Sequence, residues 1–292
     1  MILQFSLVLG DVLVIPVAPL RISYFSLSNQ WLFGQFLCQF EVFLHSIHLY
    51  SSIYFLTLIC IHRYFVIVQY KRKSLWKKKS FLTKLCLLVW LILLAQGLPF
   101  FFVIKTSVID GSEKCLDIHQ SELISVYYFY NTVLVVLSFL LPFAISITCG
   151  ALLGAAIVKA AKQSSRGKKM KSRSLKMITV SLMIFAICFG PLHICRTISV
   201  IMKYYNMSCS LLHQVEFAYH ISWVFTMANT CLDPLIYVFA NDKFKRPFTD
   251  SFCKRWSTRD CLRCKEPLTR HRSRQYPGRL DFLNVGFLTL LK

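Results

Sequence analysis

Acidic residues are scarce in this 292-residue sequence, which has 13 Asp and Glu against 34 Lys and Arg. Charged residues make up only 16% of the chain, whereas soluble domains average about 25%. Hydrophobic residues reach 55%, more than a soluble core can bury beneath a wettable surface. The composition therefore excludes an ordinary cytosolic enzyme, a disordered chain and a collagen-like fibre.

Motifs of catalysis and metal binding are also missing. The sequence has no H-E-x-x-H, no G-x-S-x-G and no glycine-rich phosphate loop, so we predict no enzyme activity. Its twelve cysteines are too few for a secreted disulfide scaffold and too scattered for a zinc module. No positively charged stretch precedes the first apolar run, and no signal peptide is predicted. We also predict no nucleic-acid partner. The remaining class is a polytopic membrane protein.

Apolar runs of about 20 residues mark candidate membrane-spanning helices. The sequence contains six such runs, at Met1–Tyr24, Gln35–Val68, Phe81–Ile104, Leu123–Val158, Leu175–Met202 and Leu211–Phe239. Five of them contain proline, which kinks a spanning helix. The second run has none and is expected to form a straight, central helix.

The connecting segments differ sharply in charge. Residues 71–84, 159–176 and 241–292 hold 28 of the 34 basic residues. The positive-inside rule places these segments in the cytoplasm, with both chain termini. Orientation and lipid contact explain the basic runs as well as partner binding does.

Ionised side chains inside apolar spans are costly, which makes them candidates for function. Asp11 and Asp233 lie midway along the first and last spans, and a short carboxylate cannot snorkel from there. Arg63 ends the second span, and Arg196 lies in the outer half of the fifth. Arg21 ends the first span, where snorkelling to the interface is an equal alternative.

These charges occur within a set of ordered sequence motifs, and together the motifs resemble a rhodopsin-like G-protein-coupled receptor. The resemblance runs from Met1 to about Cys253. It rests on W-x-F-G-x-x-x-C at Trp31–Cys38, H-R-Y at 62–64, Trp90, L-P at 141–142, F-x-x-C-F-G-P-L-H-x-x-R at 185–196 and N-T-C-L-D-P-L-I-Y at 229–237.

The H-x-x-R and H-R-Y motifs and the motif of the last span are similar to those of the purinoceptor branch. That branch includes receptors for nucleotides, oxoglutarate and succinate. Relative to that pattern the chain begins at the second of seven helices. The expected fold is an all-α membrane bundle of helices 2–7 with a short amphipathic eighth helix. The sequence leaves open a truncated gene model, a fragment or an unusual isoform.

The resemblance implies a ligand site at the outer end. His193 and Arg196 share one helix face, and Arg offers bidentate donors to phosphate or carboxylate. Pairing of Arg196 with a loop carboxylate (Asp110, Glu113 or Asp117) is the alternative. Arg21 and His220 complete the candidate ligand contacts. Nucleotide receptors usually carry Arg where this chain has Val42 and Trp223, so a singly or doubly charged anion or a lysolipid fits at least as well.

Three further features follow from the resemblance. A disulfide between Cys38 and Cys115 is expected on the oxidising side. Oxygen atoms of the inner polar cluster suit a sodium ion, although a water-filled cluster is an equal alternative. Arg63, Tyr64 and Tyr237 form the predicted G-protein switch, although Gly150 stands where many receptors have the tyrosine that meets them. The cluster comprises Asp11, Ser52, Asn229 and Asp233.

The domain prediction has three parts. Residues 1–240 form the receptor bundle, 241–254 an amphipathic helix on the inner leaflet and 255–292 a disordered cytoplasmic tail. Cys253, Cys261 and Cys264 are candidates for palmitoylation, with unmodified thiols as the alternative.

We therefore predict a plasma-membrane receptor for a small extracellular anion that signals through a heterotrimeric G protein. Membrane lipid and a receptor dimer are further predicted partners, and sodium is the one predicted cofactor. A non-signalling product, retained in the endoplasmic reticulum or paired with full-length receptors, is the main alternative. A six-helix solute carrier is weaker, because its internal repeats are missing.

Overall fold

A computed structural model describes residues 2–27, 29–68, 75–109, 111–116, 124–159, 165–205, 207 and 209–240. These residues belong to one compact unit, Met1–Arg246. The predicted amphipathic helix and tail lie outside them, as do Cys253, Cys261 and Cys264. The predicted domain boundaries stay a prediction.

The described residues form a bundle of helices with one β-hairpin. In chain order the helices are α1 (Ile2–Val14), α2 (Ala18–Ser26), α3 (Gly34–Ile67), α4 (Lys79–Gly97), α5 (Phe100–Val103), α6 (Ile124–Val133), α7 (Leu141–Lys159), α8 (Ser165–Ile184), α9 (Gly190–Tyr204) and α10 (Cys209–Ala240). Strands β1 (Lys105–Ile109) and β2 (Ser112–Leu116) pair antiparallel. A 3₁₀ turn covers Leu75–Lys77.

Five helical stretches of the described residues are long and apolar enough to cross a membrane. They are Ile2–Ser26, Gly34–Ile67, Lys79–Phe102, Ile124–Lys159 and Met170–Tyr204. Each matches one of the first five predicted spans. Helix α10 occupies the sixth predicted span, and its role as a membrane crossing stays a prediction.

Helix α3 is the centre of the bundle. It runs for 34 residues without a break, because no proline interrupts its hydrogen-bond ladder. Helices α1, α4, α7 and α8 all pack against it, and its middle turns contribute Leu49, Ile53, Phe55 and Leu56 to the main core. The predicted central position of this helix is confirmed, and the helix is unbroken.

The proline-containing spans are interrupted in two ways. Next to Pro16 and Pro99 the helix ends and a second helix begins after a short turn. Before Pro142 and Pro191 the backbone instead widens into π-helical segments, Leu134–Leu140 and Phe185–Phe189. Proline removes one backbone hydrogen bond from an α-helix, and its ring needs space. The wider π-turn provides for both.

The β-hairpin is fixed to the end of the bundle that carries the start of α3. A disulfide joins Cys115 of β2 to Cys38 of α3, as predicted. The backbone N–H of Trp31 donates to the Glu113 carbonyl at 2.7 Å. The side-chain amide of Gln39 donates to the Phe101 and Ile104 carbonyls. This region is called the hairpin end below, and the end containing Arg63 is called the Arg63 end.

Close contact between α1 and α3 depends on Gly10. A Cβ atom at Gly10 would lie 2.1 Å from Ser51 Oγ and 3.0 Å from Ser51 Cβ. Real side chains do not approach so closely, so a larger residue at position 10 requires the Ser51 side chain to move or the two helices to separate.

Replacement of Gly10 by Ala should therefore destabilise the bundle. We expect the free energy of unfolding to fall by about 1–3 kcal/mol, the usual cost of overpacking a core. The measurement is the thermal unfolding midpoint of the purified protein in detergent.

Gly154→Ala is the matched control, because a Cβ there meets nothing within 4 Å. It should leave the midpoint unchanged or raise it, since Ala favours helix over Gly. Adding Ser51→Gly to Gly10→Ala should recover part of the loss. Equal midpoints for Gly10→Ala and Gly154→Ala would contradict the contact.

Candidate functional site

A cavity opens at the hairpin end, bounded by α2, α3, α9 and α10. The space between its walls is about 810 Å³, and this figure includes open solvent at the mouth. Its apolar wall includes Val42, Leu49, Phe100, Leu192 and Trp223, and its polar wall Arg21, His45, Arg196, Lys203, Glu216 and His220. Arg21, Arg196 and His220, all predicted from sequence, meet in this one cavity.

Arg21 of α2 pairs with Glu41 of α3 through two nitrogens of its guanidinium. Nε donates to Oε1 at 3.0 Å and Nη2 to Oε2 at 2.5 Å. The side chains are 10% and 0% exposed, so snorkelling of Arg21 is ruled out. The guanidinium also lies over the Trp223 ring, 4.5 Å from its centroid. Arg21 therefore presents its remaining surface to the cavity, while Glu41 lies behind it.

Arg196 of α9 is held by aromatic residues. Its Nε donates to the Tyr127 hydroxyl at 2.8 Å, and its Nη2 also contacts that oxygen. The guanidinium lies over the rings of Phe100 and Tyr127. A phenol orients the guanidinium without neutralising it. Glu113 lies on β2 away from the cavity lining, and Asp110 and Asp117 lie outside the described residues.

Lys203 and Glu216 form a second ion pair across the cavity, between α9 and α10. Their Nζ and Oε1 atoms are 2.7 Å apart, and the side chains are 17% and 33% exposed. Water reaches this pair, so its Coulomb attraction is weaker than that of a fully buried pair.

His45 lies on the cavity wall beneath Arg21. Its imidazole stacks on Trp223 with 3.8 Å between ring centroids, and the side chain is buried. Neither ring nitrogen has a hydrogen-bond partner among the described residues. Buried polar atoms are normally paired, so the two His45 nitrogens are exceptions in the wall of the cavity, where both are closed off from its open space.

His193 does not line the cavity, and the prediction that it does is corrected. It is buried one turn before Arg196, where its ring stacks on Phe139 at 4.3 Å and lies 5.8 Å from Tyr50. Residues three apart in a helix point in directions about 60° apart, which is enough to turn His193 into the core. His220, in contrast, lies in the lining and meets Phe25 edge to face at 5.4 Å.

Three residues of the predicted inner polar cluster, Asp11, Asn229 and Asp233, come together. Asn229 Nδ2 donates to Asp233 Oδ2 at 3.0 Å, and the Asp11 and Asp233 carboxyl groups approach to hydrogen-bond distance. Ser52 donates to the His48 carbonyl. One member was missed: the His48 ring nitrogen Nδ1 lies 3.5 Å from Asp11 Oδ1. No sequence motif marked it, because His48 is one of several polar residues along α3.

Arg63 and Tyr64 lie at the opposite end of α3, partly buried. Tyr64 packs against Cys60, Cys149, Leu153 and Ile178. Tyr237 is in α10, and its side chain lies outside the described part of the chain. At Gly150 a Cβ atom would lie 3.1 Å from Ile178 Cγ2, so a tyrosine there would need the Ile178 side chain to shift.

The comparisons with known proteins agree on one family. A family model described as "7 transmembrane receptor (rhodopsin family)" matches residues 1–237. Purinoceptor 4 of Mus musculus is 35% identical over 246 residues, covering 83% of this chain and 67% of that protein. Purinoceptor 2 of Homo sapiens is 32% identical over 244 residues, covering 83% and 65%.

A third relative has a different named ligand. The 2-oxoglutarate receptor 1 of Rattus norvegicus is 30% identical over 254 residues, covering 87% of this chain and 74% of that protein. The chain spans about two thirds of the length of most of these relatives. The family match gives no support to an enzyme or a solute carrier. The chain is an α-helical, multi-pass membrane protein that belongs to the rhodopsin family of seven-transmembrane receptors, in its purinoceptor-like branch.

Proposed function

We propose that the protein is a receptor for a small anion that enters the cavity at the hairpin end, and that it signals to a heterotrimeric G protein at the Arg63 end. The observation that carries this proposal is the charge of the cavity wall. Arg21, Arg196 and Lys203 line it, and Glu216 is the one carboxylate among the described lining residues. Such a wall attracts anions and disfavours cations.

Arg196 is the proposed anchor. Tyr127 and Phe100 hold its guanidinium in one orientation, which lowers the entropy cost of binding a ligand. A guanidinium in an apolar wall binds carboxylate or phosphate in a bidentate manner. His45 and His220 line the neighbouring wall.

The named ligands of relatives support the same chemical class. One relative is named for 2-oxoglutarate, a dicarboxylate, and others are named as purinoceptors. The apolar residues Val42 and Trp223 also line the cavity, at the two positions where the family resemblance leads us to expect arginines in nucleotide receptors. We therefore favour a ligand with one or two negative charges, such as a dicarboxylate or a lysolipid, over a triphosphate.

Signalling would be a population shift between arrangements of the helices. A ligand shifts that equilibrium only by its difference in affinity for the two arrangements. The breaks at Pro16 and Pro99 and the π-segments before Pro142 and Pro191 are the places where helices can change direction. Arg63 and Tyr64 at the other end are the proposed G-protein contacts. Gly150 lacks a side chain that could support Arg63, so we expect weak coupling.

The remaining predictions concern place and partners. A location in the plasma membrane with a cytoplasmic C-terminus is proposed from the basic segments and the positive-inside rule. Contact with anionic lipid and pairing of receptors stay predictions.

Sodium is the proposed ion of the inner cluster. The residues fit a hard cation, because Asp11 Oδ1, Asn229 Oδ1 and Asp233 Oδ1 are buried and have no hydrogen-bond partner among the described residues. Two facing carboxylates in an apolar bundle also require a shared proton or a cation between them. The ion would stabilise the arrangement in which α1 and α10 stay close together.

The first test replaces Arg196 by Ala. We expect the variant to lose at least about tenfold in potency for the active anion, because one bidentate ion pair is removed. The measurement is nucleotide exchange on co-expressed G protein over a panel of nucleotides, dicarboxylates and lysophospholipids. Surface expression is measured in parallel.

Three companion variants sharpen this test. Arg196→Lys keeps the positive charge but loses the planar, bidentate donor geometry of the guanidinium. The potency of the anion at this variant should therefore be intermediate. Lys105→Ala removes an exposed cation outside the cavity and should leave potency unchanged. Arg63→Ala should abolish exchange without changing ligand affinity. A response unchanged in Arg196→Ala would exclude Arg196 from the site, and a lack of surface expression would favour the non-signalling alternative.

The second test replaces Asp11 by Asn. Sodium chloride should raise the unfolding midpoint of the unmodified receptor more than choline chloride of equal ionic strength, because a bound ion stabilises the folded state. Asp11→Asn should remove this difference. Glu113→Gln, the same change of charge on the β-hairpin, should retain it. A sodium effect that persists in Asp11→Asn would disprove the proposed site.

A further inference from the structure

The Arg21–Glu41 pair has a position that sequence motifs do not explain. Arg21 lines the cavity, whereas Glu41 is 0% exposed and lies outside the cavity lining, behind Arg21. The two residues are 20 positions apart and belong to different helices. The proposed function makes the cavity an anion site. The charges of Arg21 and Glu41 therefore contribute to the electrostatic field at a bound ligand.

Glu41 offsets the charge of Arg21 at close range. Two hydrogen bonds hold the carboxylate against the guanidinium at 2.5 and 3.0 Å. Both groups are shielded from water, so their charges are poorly screened and act strongly on each other and on the cavity.

The pair also limits which atoms of Arg21 a ligand can reach. Nε and Nη2 are engaged by Glu41, and the face of the guanidinium lies on Trp223. A ligand in the cavity therefore approaches a guanidinium whose charge is already paired with Glu41 on the side away from the cavity lining.

We propose that Glu41 determines ligand specificity without touching the ligand, by compensating Arg21 so that the cavity accepts weakly charged anions and disfavours highly charged ones. This inference rests on the proposed function. Lys203 is paired with Glu216, which lines the cavity, but water reaches both side chains and weakens this compensation. The preferred ligand then has one anionic head at Arg196 and an apolar body against Val42, Leu49 and Trp223.

The test measures how affinity depends on ligand charge. The probes are adenosine 5′-monophosphate, diphosphate and triphosphate, in which each step adds one phosphate to the same nucleoside. Dissociation constants are obtained from ligand-dependent unfolding midpoints of the purified full-length chain in nanodiscs. Low ionic strength limits screening.

Glu41→Gln removes the negative charge and keeps the shape and an acceptor for Arg21. We expect its affinity for triphosphate relative to monophosphate to rise about tenfold over the unmodified receptor, the size expected of one poorly screened charge. The double variant Arg21→Gln/Glu41→Gln should return the ratio to that of the unmodified receptor, since both charges leave together. Glu113→Gln, on the β-hairpin outside the lining, should not change the ratio.

A second comparison isolates the same charge if Glu41→Gln fails to fold with Arg21 left unpaired. Arg21→Gln alone retains the Glu41 carboxylate, so its triphosphate to monophosphate ratio should be about tenfold lower than that of the double variant. Equal ratios in both comparisons would overturn the role of Glu41. If neither these nucleotides nor a dicarboxylate stabilises the unmodified receptor, the proposed anion site itself fails.

Discussion

Inside a membrane every backbone donor and acceptor needs a partner within the chain, and α3 meets that requirement over 34 uninterrupted residues. The functional regions take their positions from this one helix. Its first turns hold Cys38 and Glu41, its middle holds His45, His48 and Ser52, and its end holds Arg63. The distance between the cavity and Arg63 is therefore set by the rise of one helix, about 1.5 Å per residue.

The charges near the cavity differ in their influence according to how deeply they are buried. Among the described residues of the lining, each ionised group meets an opposite charge or an aromatic ring. Glu41 is fully buried, whereas Lys203 and Glu216 are partly exposed to solvent. A buried pair fixes the distance between α2 and α3 as well as the local field, since breaking it would leave an uncompensated charge away from water. The partly exposed pair costs less to open, because water can reach both charges.

The sequence predicted the helical spans, the central α3 and the Cys38–Cys115 disulfide, because these depend on local composition and on ordered motifs. It also predicted that Arg21, Arg196 and His220 lie together at one end of the bundle. It could not assign partners between helices. The pairing of Glu41 with Arg21, for example, depends on how α2 turns after Pro16. His193 was misplaced because spacing along a helix defines a sector rather than a direction, and the cavity occupies only part of that sector.

The π-helical segments have a further consequence for the cavity. A π-turn inserts one residue relative to an α-helix, and each residue of an α-helix turns by about 100°. Phe185–Phe189 lies between α8 and α9, so it sets the rotational phase of α9 against α8. The side on which Arg196 emerges is therefore a property of the backbone about two to three turns earlier. A deletion of one residue there would rotate all of α9 by about 100° against α8. The guanidinium would turn away from Tyr127 and out of the cavity, and the buried Leu192 and Val200 would turn with it.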